Sequence, residues 1–161
     1  MYSVPAYIAI GSNLDTPIHQ VAAAFERLAQ IEGCQLISRS RLYRTAPLGP
    51  QDQPEFVNAA AAILCRISAR ELLTALKAIE TSMGRAAPTV RWGPRRIDLD
   101  LLVYGSERIA EPDLTIPHPG LPVRNFVLYP LLDIAPDLLV PGHGSVRELA
   151  ARAGAAGLAP L

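Results

Sequence analysis

The sequence predicts an α+β protein with a ferredoxin-like βαββαβ sandwich, an antiparallel sheet with helices packed on one face. Segments with the apolar patterns of strands and helices follow one another in the order strand, helix, strand, strand, helix, strand. The 161 residues, 50% of them hydrophobic, are enough to bury the core of one domain, and they contain no internal repeat or linker. We therefore expect a single domain over residues 1–161, with the other face or an edge of the sheet left for loops and ligands.

Local patterns predict the individual elements of this fold. Apolar runs bounded by turn residues indicate strands, and apolar stripes with helical spacing indicate helices that begin at Thr16-Pro17 and at the capping box Ser68-Ala69-Arg70-Glu71. The predicted elements are a strand over residues 4–10, a helix over 17–31, strands over 36–43 and 56–65, a helix over 69–83, and a strand over 97–104 in the sheet interior. The segment 45–54 contains three prolines and a glycine, which predicts an irregular loop of a length that is often functional.

The last third of the chain is punctuated by proline and glycine. Prolines bar a helix over residues 114–119 and predict a stiff extended segment there. A short helix or a turn is expected to begin at 124–128, followed by a strand or hairpin within 134–144 and a last short helix over 145–152. The small apolar tail, residues 153–161, is expected to be frayed.

Overall composition narrows the classes of function. The formal net charge is zero, which argues against a protein that holds nucleic acid by bulk electrostatics. Cys34 and Cys65 fit no metal or redox spacing, so we expect buried thiols in a reducing compartment. Neither a charged-then-apolar leader nor a membrane-length apolar run occurs, which predicts a soluble, cytoplasmic protein without membrane partners.

The most informative stretch alternates apolar and acidic residues from Ile97 to Leu101. Side chains of a strand alternate between faces, so Asp98 and Asp100 are expected to share one face. Two adjacent carboxylates favour a hard divalent cation between them. Arg95, just before the pair, suits a phosphate, and the ring of Trp92 suits a base, so the stretch indicates a metal–nucleotide site. The alternative is a solvated charge ladder on an exposed strand.

Other polar residues allow two interpretations each. Asn58 is a lone amide in an apolar strand, suited either to a satisfied structural role or to the edge of a heterocycle. Lys77 and Glu80 form either a solvated pair or part of a ligand site. His118, held between two prolines, is either a surface histidine or a fixed ligand contact. Neither a P-loop nor a dinucleotide fingerprint occurs, so side chains and metal would have to hold the phosphates of ATP.

Taken together, the motifs closely resemble one family, the 6-hydroxymethyl-7,8-dihydropterin pyrophosphokinases of folate biosynthesis. The resemblance runs in family order from residue 6 to about residue 138. Its matching stretches are residues 6–14, 43–54, 56–60, 84–85, 92–95 with Asp98-Leu99-Asp100, 116–119 and 124–128.

The resemblance implies an ATP- and Mg²⁺-dependent transfer of pyrophosphate from ATP to the hydroxymethyl group of the dihydropterin, with AMP as the second product. By matching position, Asp98 and Asp100 would bind two Mg²⁺ ions, and Arg85 and Arg95 would clamp phosphate oxygens during the reaction. The remaining residues implied at the ATP site are Lys77, Glu80, Trp92, Leu101, Thr115, His118 and Arg124.

For the pterin, the resemblance implies stacking between Phe56 and Phe126, with Asn58 reading the amide edge of the ring. The pocket would be completed by backbone around Thr45, Pro47 and Leu48. The loops 45–54 and 85–91 would close over both substrates and exclude water.

The chain departs from the family pattern at two positions and in the loop 85–91, which carries less basic charge than in some relatives. Phe56 stands where relatives often have tyrosine, and Asp113 where they can have arginine. The competing hypothesis is a non-catalytic pterin- or nucleotide-binding module on the same scaffold. In either case we expect small-molecule partners and a monomer.

Overall fold

In a computed structural model, residues 2–14, 16–46, 54–84 and 97–161 are described, and they form ten strands and four α-helices. The strands are β1 Val4–Ser12, β2 Cys34–Arg39, β3 Tyr43–Thr45, β4 Phe56–Cys65, β5 Asp98–Tyr104, β6 Ile109–Glu111, β7 Leu114–Ile116, β8 Leu139–Val140, β9 Gly144–Ser145 and β10 Leu158–Pro160. The α-helices are α1 Pro17–Ala29, α2 Ala69–Ser82, α3 Asn125–Ile134 and α4 Val146–Ala153, and a short 3₁₀ turn spans Leu121–Val123.

The main sheet has the order β10-β3-β4-β1-β5, and β2 also pairs with β4. Every pairing between its strands is antiparallel. The hairpins β6–β7 and β8–β9 lie outside this sheet. The predicted α+β class is therefore confirmed, the predicted strands and helices follow one another along the chain in the expected order, and β4 has the bounds that the sequence predicts.

Strand β5 corrects the prediction of an interior position. Among the described strands of the main sheet it pairs with β1 alone, so it lies at the edge. Its outer side is partly covered, because the backbone N–H of His118 donates to the carbonyl of Leu102 at 2.9 Å. The charged stretch of the chain is thus accessible from the side of the sheet.

Helices cover both faces of the sheet, where the sequence predicted one. On the first face α1 and α2 pack over a core that includes Ile8, Phe25 and Leu72. On the second face α3 and α4 pack over a separate cluster around Leu102 and Leu128. The residues that follow the βαββαβ unit therefore form a third layer.

The two long helices begin differently from each other. Ser68 caps α2 as predicted, with its hydroxyl accepting from the N–H of Glu71 while the Glu71 carboxylate accepts from the N–H of Ser68. Thr16 precedes α1 but its side chain makes no capping hydrogen bond. Helix α1 also ends at Ala29, two residues before the predicted end, because the N–H groups of Gln30 and Ile31 form tight i→i−3 bonds.

The predicted strand 36–43 is divided into β2 and β3 by a bulge. Arg39 lies opposite Ala61 and Tyr43 opposite Asn58, so one extra residue is accommodated between them. Ser40 holds the irregular segment, since its N–H donates to the Ala60 carbonyl and its hydroxyl accepts from the Ala60 N–H at 2.8 Å. Both halves remain paired with β4.

The C-terminal tail is ordered, contrary to the prediction of fraying. Its residues 158–160 form β10 against β3, and the N–H of Leu161 donates to the Leu42 carbonyl at 3.0 Å. The amide of Asn125, at the start of α3, donates to the carbonyls of Gly154 and Ala156. These long-range bonds hold a segment whose composition alone indicates no structure.

The two cysteines correct a further prediction. They are 31 positions apart in sequence, yet Cys34 and Cys65 are directly opposite on β2 and β4, with their sulfur atoms 3.0 Å apart. Cys65 is buried as predicted, whereas Cys34 is partly exposed.

Among the described helices, none is long and apolar enough to cross a membrane.

Candidate active site

The carboxylates of β5 share one face of the sheet, as the alternation predicts. Asp98 lies opposite Gly11 and Asp100 opposite Ala9, while Leu99 between them is buried in the core of the first face. Both aspartates are half-buried. Within the described part of the chain, no group of three or more His, Cys, Asp or Glu side chains is placed to hold a metal ion. Among these residues, the candidate metal ligands are therefore the two carboxylates of Asp98 and Asp100.

A cleft of about 320 Å³ runs along the outer edge of β5, between α2 and the β6–β7 hairpin. It brings together seven of the predicted site residues. These are Lys77, Glu80, Asp98, Asp100, Leu101, Thr115 and His118. Among the described residues, its lining carries four carboxylates, those of Glu80, Asp98, Asp100 and Asp113, against one amine, that of Lys77.

Glu80 is not the solvated partner of Lys77 that one interpretation of the sequence suggested. Its residue surface is 6% exposed, and its carboxylate accepts a hydrogen bond from the backbone N–H of Leu99 at 2.8 Å. Because Leu99 lies between the two aspartates, this bond connects α2 to the backbone that carries them. Lys77 is exposed on the cleft side of the same helix.

His118 is fixed by hydrogen bonds of both its ring and its backbone. Its Nδ1 accepts from the N–H of Gly120 at 3.0 Å, which assigns the proton of the neutral imidazole to Nε2. Burial lowers the pKa of His118 below its usual value; the nearby charge of Asp100 opposes this shift, and that of Arg124 adds to it. The ring is therefore a half-buried neutral donor at the cleft rather than a mobile surface histidine.

Arg124 lies against the turn that carries His118. A methyl group added at Gly120 would be 2.4 Å from the guanidinium carbon of Arg124, so only glycine allows this approach. The same guanidinium carbon is 5.9 Å from the ring centre of Phe126, within cation–π range. Phe126 is half-buried in the first turn of α3, and it packs against the cluster of the second face.

A second group of predicted residues lies at the neighbouring strand ends. Asn58 is buried, and its amide donates to the hydroxyl of Thr45 at 2.7 Å. A methyl group on Gly11 would be 2.9 Å from Asn58 Oδ1 and 4.0 Å from the ring of Phe56. Gly11 therefore leaves the space that the Asn58 amide occupies, while the Phe56 ring is at ordinary contact distance.

These two groups are joined across the sheet. Gly11 of β1 is paired with Asn58 on one side and with Asp98 on the other. Strands are spaced about 4.8 Å apart, so the amide and the carboxylate belong to positions roughly 10 Å apart. A ligand that spans this row can contact both groups at once.

Gly11 lies between Asn58 and Asp98, and it is not among the candidate site residues that the sequence indicates. The sequence predicts a first strand over residues 4–10, whereas β1 continues through Gly11 to Ser12. A glycine inside a strand often marks a close approach of another group, so the sequence alone could have indicated one at Gly11.

Five predicted site residues lie outside the described residues: Pro47, Leu48, Arg85, Trp92 and Arg95.

The sequence comparisons agree with one another. Residues 7–136 match the family model described as 7,8-dihydro-6-hydroxymethylpterin-pyrophosphokinase (HPPK). The chain is 46% identical over 146 residues to the 2-amino-4-hydroxy-6-hydroxymethyldihydropteridine pyrophosphokinase of Haemophilus influenzae, covering 91% of each protein. It is 45% identical over 145 residues to the protein of the same name from Pseudomonas aeruginosa, covering 90% of this chain and 89% of that one.

The fold is also similar to that of solved structures. One is the crystal structure of wild-type HPPK-DHPS from Plasmodium falciparum with pteroate, with a TM-score of 0.72 at 15% sequence identity. The match covers 93% of this chain and 42% of that chain, so this chain spans less than half of it. This likeness confirms the ferredoxin-like α+β fold.

Proposed function

The chain belongs to the 7,8-dihydro-6-hydroxymethylpterin-pyrophosphokinase family, and from this premise we propose that the β5 cleft binds one of its two substrates and the group around Asn58, Thr45 and Gly11 binds the other. The chain is a diphosphokinase that transfers pyrophosphate to the hydroxymethyl group of the dihydropterin in folate synthesis. In the proposed reaction ATP is the donor. The hydroxyl oxygen loses its proton to solvent and attacks the β-phosphorus, the bond from that phosphorus to the oxygen it shares with the α-phosphate breaks, and AMP leaves with that oxygen.

The observation that carries this proposal is the row Asn58, Gly11 and Asp98 across three paired strands. Asn58 can hold the amide edge of a heterocycle, because an amide offers both a donor and an acceptor. Asp98 lies at the start of the nucleotide cleft. A pterin that is bound at Asn58 would therefore direct its hydroxymethyl group along the row toward the phosphates.

The donor set at β5 fits Mg²⁺. Asp98 and Asp100 present carboxylates on one face, and oxygen ligands are those that Mg²⁺ prefers. Four carboxylates in the described lining would repel a triphosphate unless positive charge compensated them. Bound at the aspartates, Mg²⁺ would neutralise charge on the attacking and leaving oxygens. We propose two ions at this position, on the family resemblance alone.

The other residues of the cleft have proposed roles that follow from their contacts. His118 offers its Nε2–H as a neutral donor to a phosphate oxygen, and Arg124 adds a positive charge on the same side. Glu80 is a positioning residue, because it holds the backbone between the aspartates. Leu101, Thr115 and Lys77 complete the walls around the nucleotide.

For residues beyond the described part, the support is the family resemblance alone. We propose that Arg85 and Arg95 bind phosphate oxygens, that Trp92 packs on the nucleotide, and that Pro47 and Leu48 border the pterin. Phe56 and Phe126 are proposed as its stacking partners. From the same resemblance we propose that the chain acts as a monomer, as a single cytoplasmic domain on small-molecule substrates.

An assay of the products tests the reaction. Incubation with ATP, Mg²⁺ and 6-hydroxymethyl-7,8-dihydropterin should release AMP and the dihydropterin diphosphate. Release of ADP would contradict pyrophosphate transfer, and binding without turnover would favour the non-catalytic module. Nothing in the comparisons supports that module.

A further inference from the structure

The cysteine pair lies at the opposite end of β4 from Asn58. Cys34 and Cys65 are directly opposite each other on β2 and β4, and their sulfur atoms are in hydrogen-bond contact at 3.0 Å. The whole sequence contains two cysteines, so an intramolecular disulfide has one possible connectivity. Both are free thiols here.

The backbone pattern places the pair at a position where a disulfide fits. The N–H of Arg66 donates to the carbonyl of Gly33, and the N–H of Cys34 donates to Ile31 rather than across to β4. Hydrogen-bonded and non-hydrogen-bonded pairs alternate along an antiparallel ladder, so Cys34 and Cys65 form a non-hydrogen-bonded pair. In such pairs the Cα atoms are about 4.5 Å apart, within the range that disulfides adopt.

The two thiols differ in access. Cys34 is partly exposed on the edge strand β2, whereas Cys65 is fully buried. Burial and the hydrogen bond with Cys34 raise the pKa of the Cys65 thiol well above its usual value. An external reagent therefore reaches Cys34 first, and Cys65 is placed to react with whatever forms on Cys34.

We propose that Cys34 and Cys65 form a reversible dithiol–disulfide site that is oxidised by a small-molecule disulfide of the glutathione type. The Cys34 thiol loses its proton, and its sulfur attacks one sulfur of the reagent; the reagent's S–S bond breaks and one thiol leaves with a proton. Cys65 then loses its proton and attacks the Cys34 sulfur, so that the protein disulfide forms and the second thiol leaves. Two electrons pass from the protein to the reagent.

This site is separate from the proposed catalytic machinery. Cys65 is seven residues from Asn58 along β4, a distance of roughly 23 Å in an extended strand. Oxidation would join the β2 edge to β4 and leave the ends of the strands that carry Asn58 and Asp98 unchanged. The inference does not depend on the proposed function.

The test uses the full chain, reduced, freed of reductant and incubated with glutathione disulfide. The remaining thiols are then alkylated in denaturant, and the intact mass is measured. The wild-type chain should lose two hydrogen atoms and carry neither glutathione nor an alkyl group. Treatment with dithiothreitol should restore two alkylatable thiols.

Matched variants identify the order of attack. Cys65→Ser should stop at the first step and retain one glutathione on Cys34, while Cys34→Ser should take up none and be alkylated once after denaturation. The wild-type result decides the proposal even if a variant does not fold. Two alkylated thiols, a lasting glutathione adduct or a cross-linked dimer in the wild type would each overturn it.

Discussion

The two faces of the sheet differ most where β1, β4 and β5 approach the site. On the first face these strands present Ile10, Val57 and Leu99, all buried in the core beneath α1 and α2. The adjacent residues on the same strands, Gly11, Asn58 and Asp98, face the other way. One residue's shift along each strand therefore separates an apolar core from a polar site.

The second face is also divided along its length. Toward one end it is packed by α3 and α4 on Leu102, Val103 and Ala60, and at the other end it carries the amide and the carboxylates. The buried cluster on the first face is the larger one, so that face supplies most of the apolar stabilisation. The second face has a smaller apolar core, because part of its surface carries polar side chains instead.

The largest expected effect is that of Asp100→Asn on activity. The amide is a poorer ligand for Mg²⁺ than the carboxylate, so the rate of AMP formation should fall by several orders of magnitude while the melting temperature stays near that of wild type. Asp137→Asn, at an exposed residue paired with Arg147, is the matched control and should keep full activity. Near-wild-type turnover by Asp100→Asn would remove the metal assignment.

The converse change on the first face is Leu72→Ala. Leu72 is fully buried in the core, so truncation should lower the free energy of unfolding by about 2–5 kcal/mol, as measured by urea denaturation. At low temperature the folded fraction should retain its specific activity. Leu139→Ala, at a residue that is 70% exposed, should cost far less. A loss of activity without a loss of stability would show that the two faces are not independent.

A smaller effect is expected at Gly11, which tests how the second face is shaped. In Gly11→Ala the new methyl group would be too close to Asn58 Oδ1, so the KM for the pterin should rise more than that for ATP. Asn58→Ala should show the same selectivity. Because the clash is with Asn58, adding Gly11→Ala to Asn58→Ala should cost little more. Full additivity of the two changes in KM would contradict this contact.

The smallest effect concerns the contact between α3 and the sheet. The buried Tyr43 donates its hydroxyl to Asp133 at 2.8 Å and accepts from Arg41 at 3.0 Å. Tyr43→Phe keeps the ring and should lower the free energy of unfolding by about 1 kcal/mol. Because Tyr43 is opposite Asn58, the pterin KM should also rise slightly. Asp133→Asn retains an acceptor for the hydroxyl and should cost less; an equal or larger loss would indicate that the charge matters more than the hydroxyl.

Much of the site could be predicted because its signals are local. The alternation around Asp98 and Asp100 is a property of one strand, and a pleated strand places alternate side chains on one side regardless of its neighbours. The capping box of α2 and the bounds of β4 are local in the same sense. The burial of Glu80 was not predicted, because the N–H of Leu99 that it accepts from is 19 positions away.

Periodicity within single segments was thus enough to predict the fold class, most elements and the common face of the two aspartates. Assembly decided the edge position of β5, the second helical layer, the ordered tail at β10 and the contact of Cys34 with Cys65. The physical reason is the range of the interactions. Backbone geometry and side-chain alternation act over a few residues, whereas strand order and helix docking depend on surfaces that segments far apart in the chain bring together.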